Sequence, residues 1–179
     1  MATETKERIL KAALKLFAAN GYKGATTRAI AKEAGVSELT LFRSFKTKEN
    51  LLNEVVAKNT EKLRKEFELI INETPSETPQ KFLENIIRNL DRFSENNIEF
   101  MRLVVTDLNV KEPVLESFFK HLSQHLEKNI PNKKLDYDAL AFLISGFVVI
   151  LNNTQYLGRK YIKKQEMVEG TIKNLTRII

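Results

Sequence analysis

The chain has 179 residues, which allows one or two domains with a sizeable core. It contains no cysteine, and this excludes disulfides, thiolate zinc sites and thiol redox chemistry. Residues 1–60 carry a net charge of +5 and residues 61–179 a net charge of +1, so nearly all of the overall +6 lies in the first third. That placement favours a polyanionic partner such as nucleic acid, although a basic surface without a partner has the same composition.

The first predicted element is a helix from about Thr3 to Asn20, and Asn20-Gly21 ends it. Apolar residues at helical spacing form its core stripe: Ile9, Ala13, Leu16 and Phe17.

The segment from Thr26 to Phe45 predicts two short helices joined by a tight turn. Thr26 and Thr27 can cap the first helix, and Gly35 can end it in a left-handed conformation. Ser37 can cap a second helix, Glu38–Ser44, that buries Leu41 and Phe45. Five side chains then face outward, as a recognition helix requires: Glu38, Leu39, Thr40, Phe42 and Arg43. A plain helical hairpin remains an alternative for this segment taken alone.

With its flanks, this segment resembles the N-terminal DNA-binding domain of the TetR family of transcriptional repressors. The resemblance covers Arg8 to Leu52, about a quarter of the chain. It rests on an ordered pattern: Ile9, Ala13, Phe17, Gly21, Tyr22, Thr26, Thr27, Ile30, Ala31, Ala34, Gly35, Val36, Ser37, Thr40, Leu41, Phe45, Lys48 and Leu51–Leu52.

The resemblance implies that Lys48 and Thr27 contact DNA phosphates. Lys46 and Lys48 lie at a helix N-terminus, where a bound phosphate would offset the unfavourable dipole. Arg28 is a candidate for a guanine edge, and Glu38 can accept from a cytosine amine. The full predicted DNA-binding set is Thr27, Arg28, Ser37, Glu38, Leu39, Thr40, Phe42, Arg43, Lys46 and Lys48.

Two residues of that set depart from the family pattern. Leu39 stands where the family commonly has a small residue, and Phe42 stands where it commonly has tyrosine. Phe42 therefore lacks a hydroxyl for phosphate, while both side chains can contact thymine methyl groups. We expect an operator that is unusual for the family.

The remainder predicts an all-α protein of about nine helices, without strands or repeats. Helix 4 follows Thr47 and ends near Asn72, and we place the domain boundary inside it, giving a DNA-binding domain at 1–58 and an effector-binding and dimerisation domain at 59–179. The later helices are predicted as follows: helix 5 from Thr78-Pro79 to Asn96, helix 6 at Ile98–Asn109, helix 7 from Glu112-Pro113 to Asn129, helix 8 after Asp136, and helix 9 at Glu166–Ile179.

Helices 8 and 9 predict a homodimer. Helix 8 is apolar nearly all round from Ala139 to Leu151, so both of its sides need cover. Helix 9 carries a seam of Val168, Ile172, Leu175 and Ile179, and Ala141, Ser145 and Gly146 on helix 8 would permit close approach. Two helices from each of two chains would form a four-helix bundle, which the resemblance also implies. A monomeric core is the alternative.

An excess of phenylalanine after residue 60 is most commonly core packing. The resemblance implies that helices 4 to 8 surround an effector cavity, so we also expect an aromatic pocket. The predicted ligand-binding residues are Phe67, Phe82, Phe100, Met101, Phe118, Leu122 and Phe147. Arg88, Arg92 and Arg102 could meet one acidic group of an otherwise apolar effector.

Other chemistry has little support in the sequence. His121 and His125 are four residues apart, but spacing supplies no third ligand, so we expect no metal site. No phosphate-binding loop, dinucleotide fingerprint or hydrolase motif occurs, and we expect neither a cofactor nor enzyme activity. The start of the chain leads directly into an amphipathic pattern, and the apolar run is shorter than a membrane span, so we expect no membrane association and a cytoplasmic location.

The sequence thus predicts a homodimeric repressor that binds a palindromic operator on double-stranded DNA and is released by a small, largely apolar effector. The alternative is a helical small-molecule-binding module whose DNA-binding head is weak or vestigial. A helical enzyme is a remote third option, and it would need catalytic motifs that the chain lacks.

Overall fold

The computed structural model describes residues 2–72, 78–106, 114–132, 134–159 and 162–179. Within these ranges the chain forms nine helices and no strand. The helices are α1 (Ala2–Gly24), α2 (Thr27–Glu33), α3 (Glu38–Phe45), α4 (Lys48–Asn72), α5 (Pro79–Asn96), α6 (Ile98–Thr106), α7 (Val114–Asn129), α8 (Tyr137–Tyr156) and α9 (Lys164–Leu175). The predicted all-α fold is confirmed.

The predicted helix starts hold wherever a side chain caps the helix. Thr26, Ser37, Thr78 and Asp136 each accept a hydrogen bond from the backbone N–H three residues later, which satisfies one of the unpaired donors of a first helical turn. The predicted end of helix 1 is marked by a break inside α1, where Gly21 has φ 69° and ψ 170°.

The last helix differs from its prediction, because α9 runs from Lys164 to Leu175 rather than from Glu166 to Ile179. Its N-cap residue, Lys163, makes no side-chain cap bond, so the local signal was absent there. The end predicted for helix 6 and the predicted start of helix 7 at Glu112-Pro113 lie outside the described residues.

The first of two compact units comprises residues 1–63 and 99–111. Its described core is closed by fully buried side chains from α1 to α4 and α6: Ile9, Ala13, Phe17, Ile30, Leu41, Phe45, Leu51, Val55, Phe100 and Leu103. Arg102 of α6 donates from Nε to the carbonyl of Ala18 in α1 at 3.3 Å. The domain boundary that we place between residues 58 and 59 remains a prediction. The first compact unit extends to residue 63 of α4 and also includes α6 from residue 99.

The second compact unit comprises residues 64–98 and 112–179. In it α8 packs against α5 and α7, and α9 packs against α5. Polar contacts fix these helices: Asn152 donates to Asp91 Oδ1 at 2.9 Å, and Ser123 donates to Asp138 Oδ1 at 2.5 Å. The Arg88 guanidinium lies 3.0 Å from the Glu169 carboxylate, which joins α5 to α9.

One face of α8 exposes large apolar side chains. Phe142, Leu143 and Ile150 are 64%, 62% and 67% exposed. Gly146 lies on the same face, and a Cβ added there would meet nothing within 4 Å. The expectation that one side of this helix needs a second cover is therefore consistent with the fold of the single chain.

Two details of the predicted dimer face are corrected. Ala141 and Ser145 are buried inside their own unit, so of the three small residues only Gly146 faces outward. Val168 and Ile172 are likewise buried on the inner side of α9, which packs against α5, so this part of the predicted seam is not available to a second chain.

The length argument against a membrane span is also corrected. The helix built around the apolar run, α8, has 20 residues and is long and apolar enough to cross a bilayer. Core helices of soluble proteins meet the same criterion, so this single helix is weak evidence.

Candidate nucleic-acid interface

The turn between α2 and α3 has the geometry that the sequence predicts. Gly35 adopts φ 65°, its N–H donates to the Lys32 carbonyl at 3.1 Å, and the Val36 N–H donates to the Ala31 carbonyl at 3.0 Å. This pair of bonds is the Schellman arrangement, in which a left-handed residue satisfies the last carbonyls of a helix. A side chain at Gly35 would strain this conformation, so the turn depends on glycine.

Helix α3 buries one side and presents the other to solvent. Leu41 and Phe45 are buried, as predicted, while Leu39 is 60% and Phe42 41% exposed. Arg43 is exposed beside them. Burial of large apolar groups is the default in a helical pair, so two exposed ones on so short a helix indicate a face that meets a partner.

The polar residues at the start of α3 are already hydrogen-bonded. Ser37 Oγ accepts from the Thr40 N–H at 3.1 Å and lies 2.8 Å from Thr40 Oγ1. Thr27 Oγ1 donates to Glu38 Oε1 at 2.5 Å, which links the start of α2 to the start of α3. Thr27 and Glu38 were predicted as separate DNA contacts, and the structure joins them to each other.

The predicted phosphate-binding lysines lie at the junction of α3 and α4. The Lys48 ammonium sits 4.5 Å from the centre of the Tyr22 ring, a cation–π contact that positions it. Thr47 caps α4 by accepting from the Asn50 N–H at 3.0 Å, as predicted.

Lys46 has an uncommon backbone conformation at this junction, with φ 64° and ψ −48°. The Thr47 N–H donates to the Phe45 carbonyl at 2.7 Å, which closes a three-residue γ-turn around Lys46. This γ-turn is the rare, strained type, and the position has a positive φ that a side chain disfavours.

Some cations of this unit form ion pairs, and others do not. Lys6, Lys15 and Lys58 pair with Glu54, Glu33 and Glu7. Arg28, Arg43 and Lys46 are exposed, and among the described residues none of them has a carboxylate partner. The unpaired charge of the unit therefore includes three residues that were predicted to contact DNA.

Two supporting residues were missed by the sequence reasoning. Arg8 donates from Nη2 to the Gly35 carbonyl at 3.3 Å, so α1 braces the turn. Tyr22 carries Lys48 on its ring face. Both contacts join residues more than 25 positions apart, and local spacing carries no signal for them.

The predicted ligand-binding residues are divided between the two compact units. Phe67 and Phe118 meet with ring centres 4.2 Å apart, whereas Phe82 contacts the His125 ring at 5.1 Å. Leu122 is fully buried, Phe147 is half-buried, and Phe100 and Met101 belong to the other compact unit. Their role in ligand binding stays a prediction.

The predicted acid-binding arginines are largely engaged. Arg88 bridges Glu84 and Glu169, and the hydrogen bond that it donates to Glu169 raises the Arg88 pKa above its usual range. Arg102 donates to Ala18, and Arg92 donates from Nη2 to Asn89 Oδ1 at 2.6 Å.

The two histidines of α7 have different surroundings. His121 is exposed, and its Nδ1 lies 2.7 Å from the Ser117 carbonyl. His125 is half-buried, and burial, followed by repulsion from Lys128, lowers its pKa below the ordinary 6.5. Throughout the described ranges, no three His, Cys, Asp or Glu side chains are grouped as metal ligands.

Sequence comparison identifies the N-terminal segment. The family of bacterial regulatory proteins named tetR matches residues 9–55. The HTH-type transcriptional regulator YvkB of Bacillus subtilis, itself described as uncharacterized, is 43% identical over 56 residues. That match covers 31% of this chain and only 30% of YvkB.

Solved structures match the chain over nearly its whole length. A transcriptional regulator of the TerR/AcrR family from Aquifex aeolicus is 26% identical with a TM-score of 0.67, covering 98% of this chain and 99% of the other. The transcriptional regulator FadR of Bacillus subtilis, solved in complex with stearoyl-CoA, shares the fold at 21% identity and a TM-score of 0.68, covering 97% and 98%. Residues 9–55 thus match the family of bacterial regulatory proteins named tetR, and regulators of known structure share the fold of nearly the whole chain.

Proposed function

We propose that the chain is a cytoplasmic, ligand-responsive transcriptional repressor that binds a palindromic operator as a homodimer. The exposed face of α3 carries the proposal, because Leu39 and Phe42 stand on it next to unpaired cations. Apolar groups can contact thymine methyls in the major groove while cations neutralise flanking phosphates. The proposal gives the chain no catalytic role.

Selection from a random duplex library tests DNA binding directly. The protein should enrich a palindrome whose half-sites are about one helical turn apart, roughly 34–36 Å, or somewhat wider. Arg28→Ala should then relax preference at one base pair per half-site by roughly 1–3 kcal/mol. Equal weakening on enriched and random duplexes would make Arg28 a backbone contact only.

The uncovered face of α8 supports the homodimer. From residue 139 to 157 the helix and its end carry no charged residue, so a second copy of the same face can cover it without burying charge. Gly146→Leu should disrupt the dimer, because a branched side chain overfills a close crossing. The first atom of the added side chain, its Cβ, meets nothing within 4 Å in its own chain, so dissociation would point to the contact with the partner. Ala57→Leu, at an exposed site on α4, is the matched control for sedimentation.

We propose a largely apolar effector with one acidic group, and an acyl thioester as the first class to test. The aromatic content of the second unit supports the apolar part, and FadR of Bacillus subtilis, with the same fold, is solved with stearoyl-CoA. The rings of Phe67, Phe93 and Phe118 pack on one another, so ligand binding there would require these side chains to separate.

Thermal-shift titration with acyl-CoA, free fatty acids and a sugar tests the effector class. A ligand that binds only the native state raises the melting temperature. Stabilisation by an acyl compound together with release of the enriched duplex would support the proposal. Stabilisation by the sugar alone would overturn the apolar effector, and ligand binding without enrichment of any duplex would indicate the small-molecule module with a vestigial head.

A further inference from the structure

We infer that Thr27 acts by positioning Glu38, so that one hydrogen-bonded pair reads a single base pair in each half-site. The inference rests on the proposed function, because it assigns a specificity role within the same DNA-binding face. The resemblance to the TetR family implies only that Thr27 contacts a phosphate. Thr27 and Glu38 are eleven positions apart, and this separation does not predict a contact between them.

The geometry of the pair carries the first step. Thr27 Oγ1 lies 2.5 Å from Glu38 Oε1, the short distance typical of a hydroxyl that donates to a carboxylate. A threonine hydroxyl has one hydrogen, and a carboxylate only accepts. Thr27 therefore cannot donate to a phosphate while this bond is intact.

The bond to Thr27 leaves the second carboxylate oxygen of Glu38 able to accept a hydrogen bond from a base. A carboxylate has two oxygens with several lone pairs, and among the described residues Oε2 of Glu38 has no hydrogen-bond partner. Glu38 is the first residue of α3, and the N-terminal residues of a recognition helix are those that meet base edges. Cytosine N4 is the major-groove donor that a carboxylate accepts from.

An acidic side chain in a groove lined by phosphate would otherwise swing away from the DNA. Holding it in one rotamer before binding removes that freedom and lowers the ordering cost of the contact. The hydroxyl is supplied from α2, whose own start is fixed by the Thr26 cap, so the position of Glu38 depends on both helices.

The test measures base preference rather than affinity alone. The wild-type chain first selects a site from a random duplex library, and Glu38→Ala then identifies the base pair whose preference it loses. Titrations of Thr27→Val and Thr27→Ser follow, on the selected duplex and on the same duplex changed only at that pair. Valine removes the hydroxyl at nearly constant shape, whereas serine keeps it.

Thr27→Val should lower the preference at that base pair by up to about tenfold, within the range that one good base contact provides. Thr27→Ser should retain it, and Thr27→Val should change nothing further in the Glu38→Ala background. Melting temperatures of all variants establish that each is folded.

Other outcomes overturn the inference in distinguishable ways. Equal weakening of both duplexes by Thr27→Val would make Thr27 a backbone contact, and a lower melting temperature with unchanged preference would make the pair a structural tie only. If Glu38→Ala alters no base preference, Glu38 does not read a base although DNA binding itself stands. If the wild-type chain enriches no duplex, the proposed function fails and the inference fails with it.

Discussion

Helices α3 and α8 both expose large apolar side chains, but those of α3 lie close in sequence to charged residues, whereas those of α8 lie in an uncharged stretch. Leu39 and Phe42 on α3 lie close in sequence to Arg43, Lys46 and Lys48. On α8, the exposed face lies within a stretch, residues 139–157, that carries no charge. Both faces expose apolar surface, and they differ in what could cover them.

Charge distinguishes the partners of these two faces. A DNA duplex needs cations at the edge of the contact, where they meet its phosphates. Its thymine methyl groups can contact isolated apolar side chains that lie between those cations. A second protein chain needs an apolar face without unpaired charge, because removing a charge from water is costly. Several exposed apolar side chains on one helix face therefore mark a candidate interface, and the surrounding charges indicate its chemistry.

The largest expected effect comes from placing a charge on the α8 face. Ile150→Glu should weaken dimer formation by roughly 3–5 kcal/mol, because each copy buries an uncompensated carboxylate at a symmetric contact. Sedimentation equilibrium measures the change. Leu69→Glu, at another exposed apolar site in the same unit, is the control and should leave association unchanged. An intact Ile150→Glu dimer would remove this face of α8 from the interface.

On the charged face, Lys48→Ala should weaken binding to all duplexes alike. The slope of log affinity against log salt should fall by roughly 0.9, one phosphate's worth. Tyr22→Leu should weaken binding less and leave the slope unchanged, because it removes the ring beneath the ammonium and no charge. Lys173→Ala, an exposed lysine of the other unit, controls for net charge. An unchanged slope in Lys48→Ala would exclude a phosphate contact.

The two faces also differ in how far the sequence predicts them. Caps such as Ser37 and Thr78 act within one turn, so their signal is local and the helix starts were predicted correctly. The apolar periodicity of α9 predicts that Val168 and Ile172 are packing residues, and both are buried. Periodicity alone does not indicate whether the same chain or a second chain buries them. The bond between Thr27 and Glu38 is a tertiary contact, and only the folded chain brings it together.

A smaller effect is expected at a buried polar atom in the second unit. His125 Nε2 is buried, and among the described residues it has no hydrogen-bond partner. His125→Phe keeps the ring contact with Phe82 and removes that atom, so the free energy of unfolding should rise by roughly 1–2 kcal/mol. His121→Phe, one turn away and exposed, is the matched control.

The same variant has a pH signature. The His125 pKa is lowered in the folded state, so below the unfolded value of about 6.5 the unfolded chain binds the proton more readily. The contribution of His125 to the free energy of unfolding is therefore fully present above pH 6.5. It is lost as the pH falls through the pKa that His125 has in the folded state. Denaturant unfolding should show a flatter pH dependence for His125→Phe in that window. An unchanged profile would mean that another group causes it.

The smallest effect sharpens the charged face, because it separates backbone strain from DNA contact at one residue. Lys46 occupies a γ-turn with φ 64°, which glycine adopts without strain and alanine does not. The free energy of unfolding of the Lys46→Gly variant should therefore be higher than that of Lys46→Ala by roughly 1 kcal/mol. We expect this sign even though glycine makes the unfolded chain more flexible. Both variants lose the same charge, so both should lower the salt slope of DNA binding by the same amount. Equal stability would show that the turn relaxes around a side chain, and unequal slopes would show that the turn conformation, rather than the ammonium alone, determines the contact with phosphate.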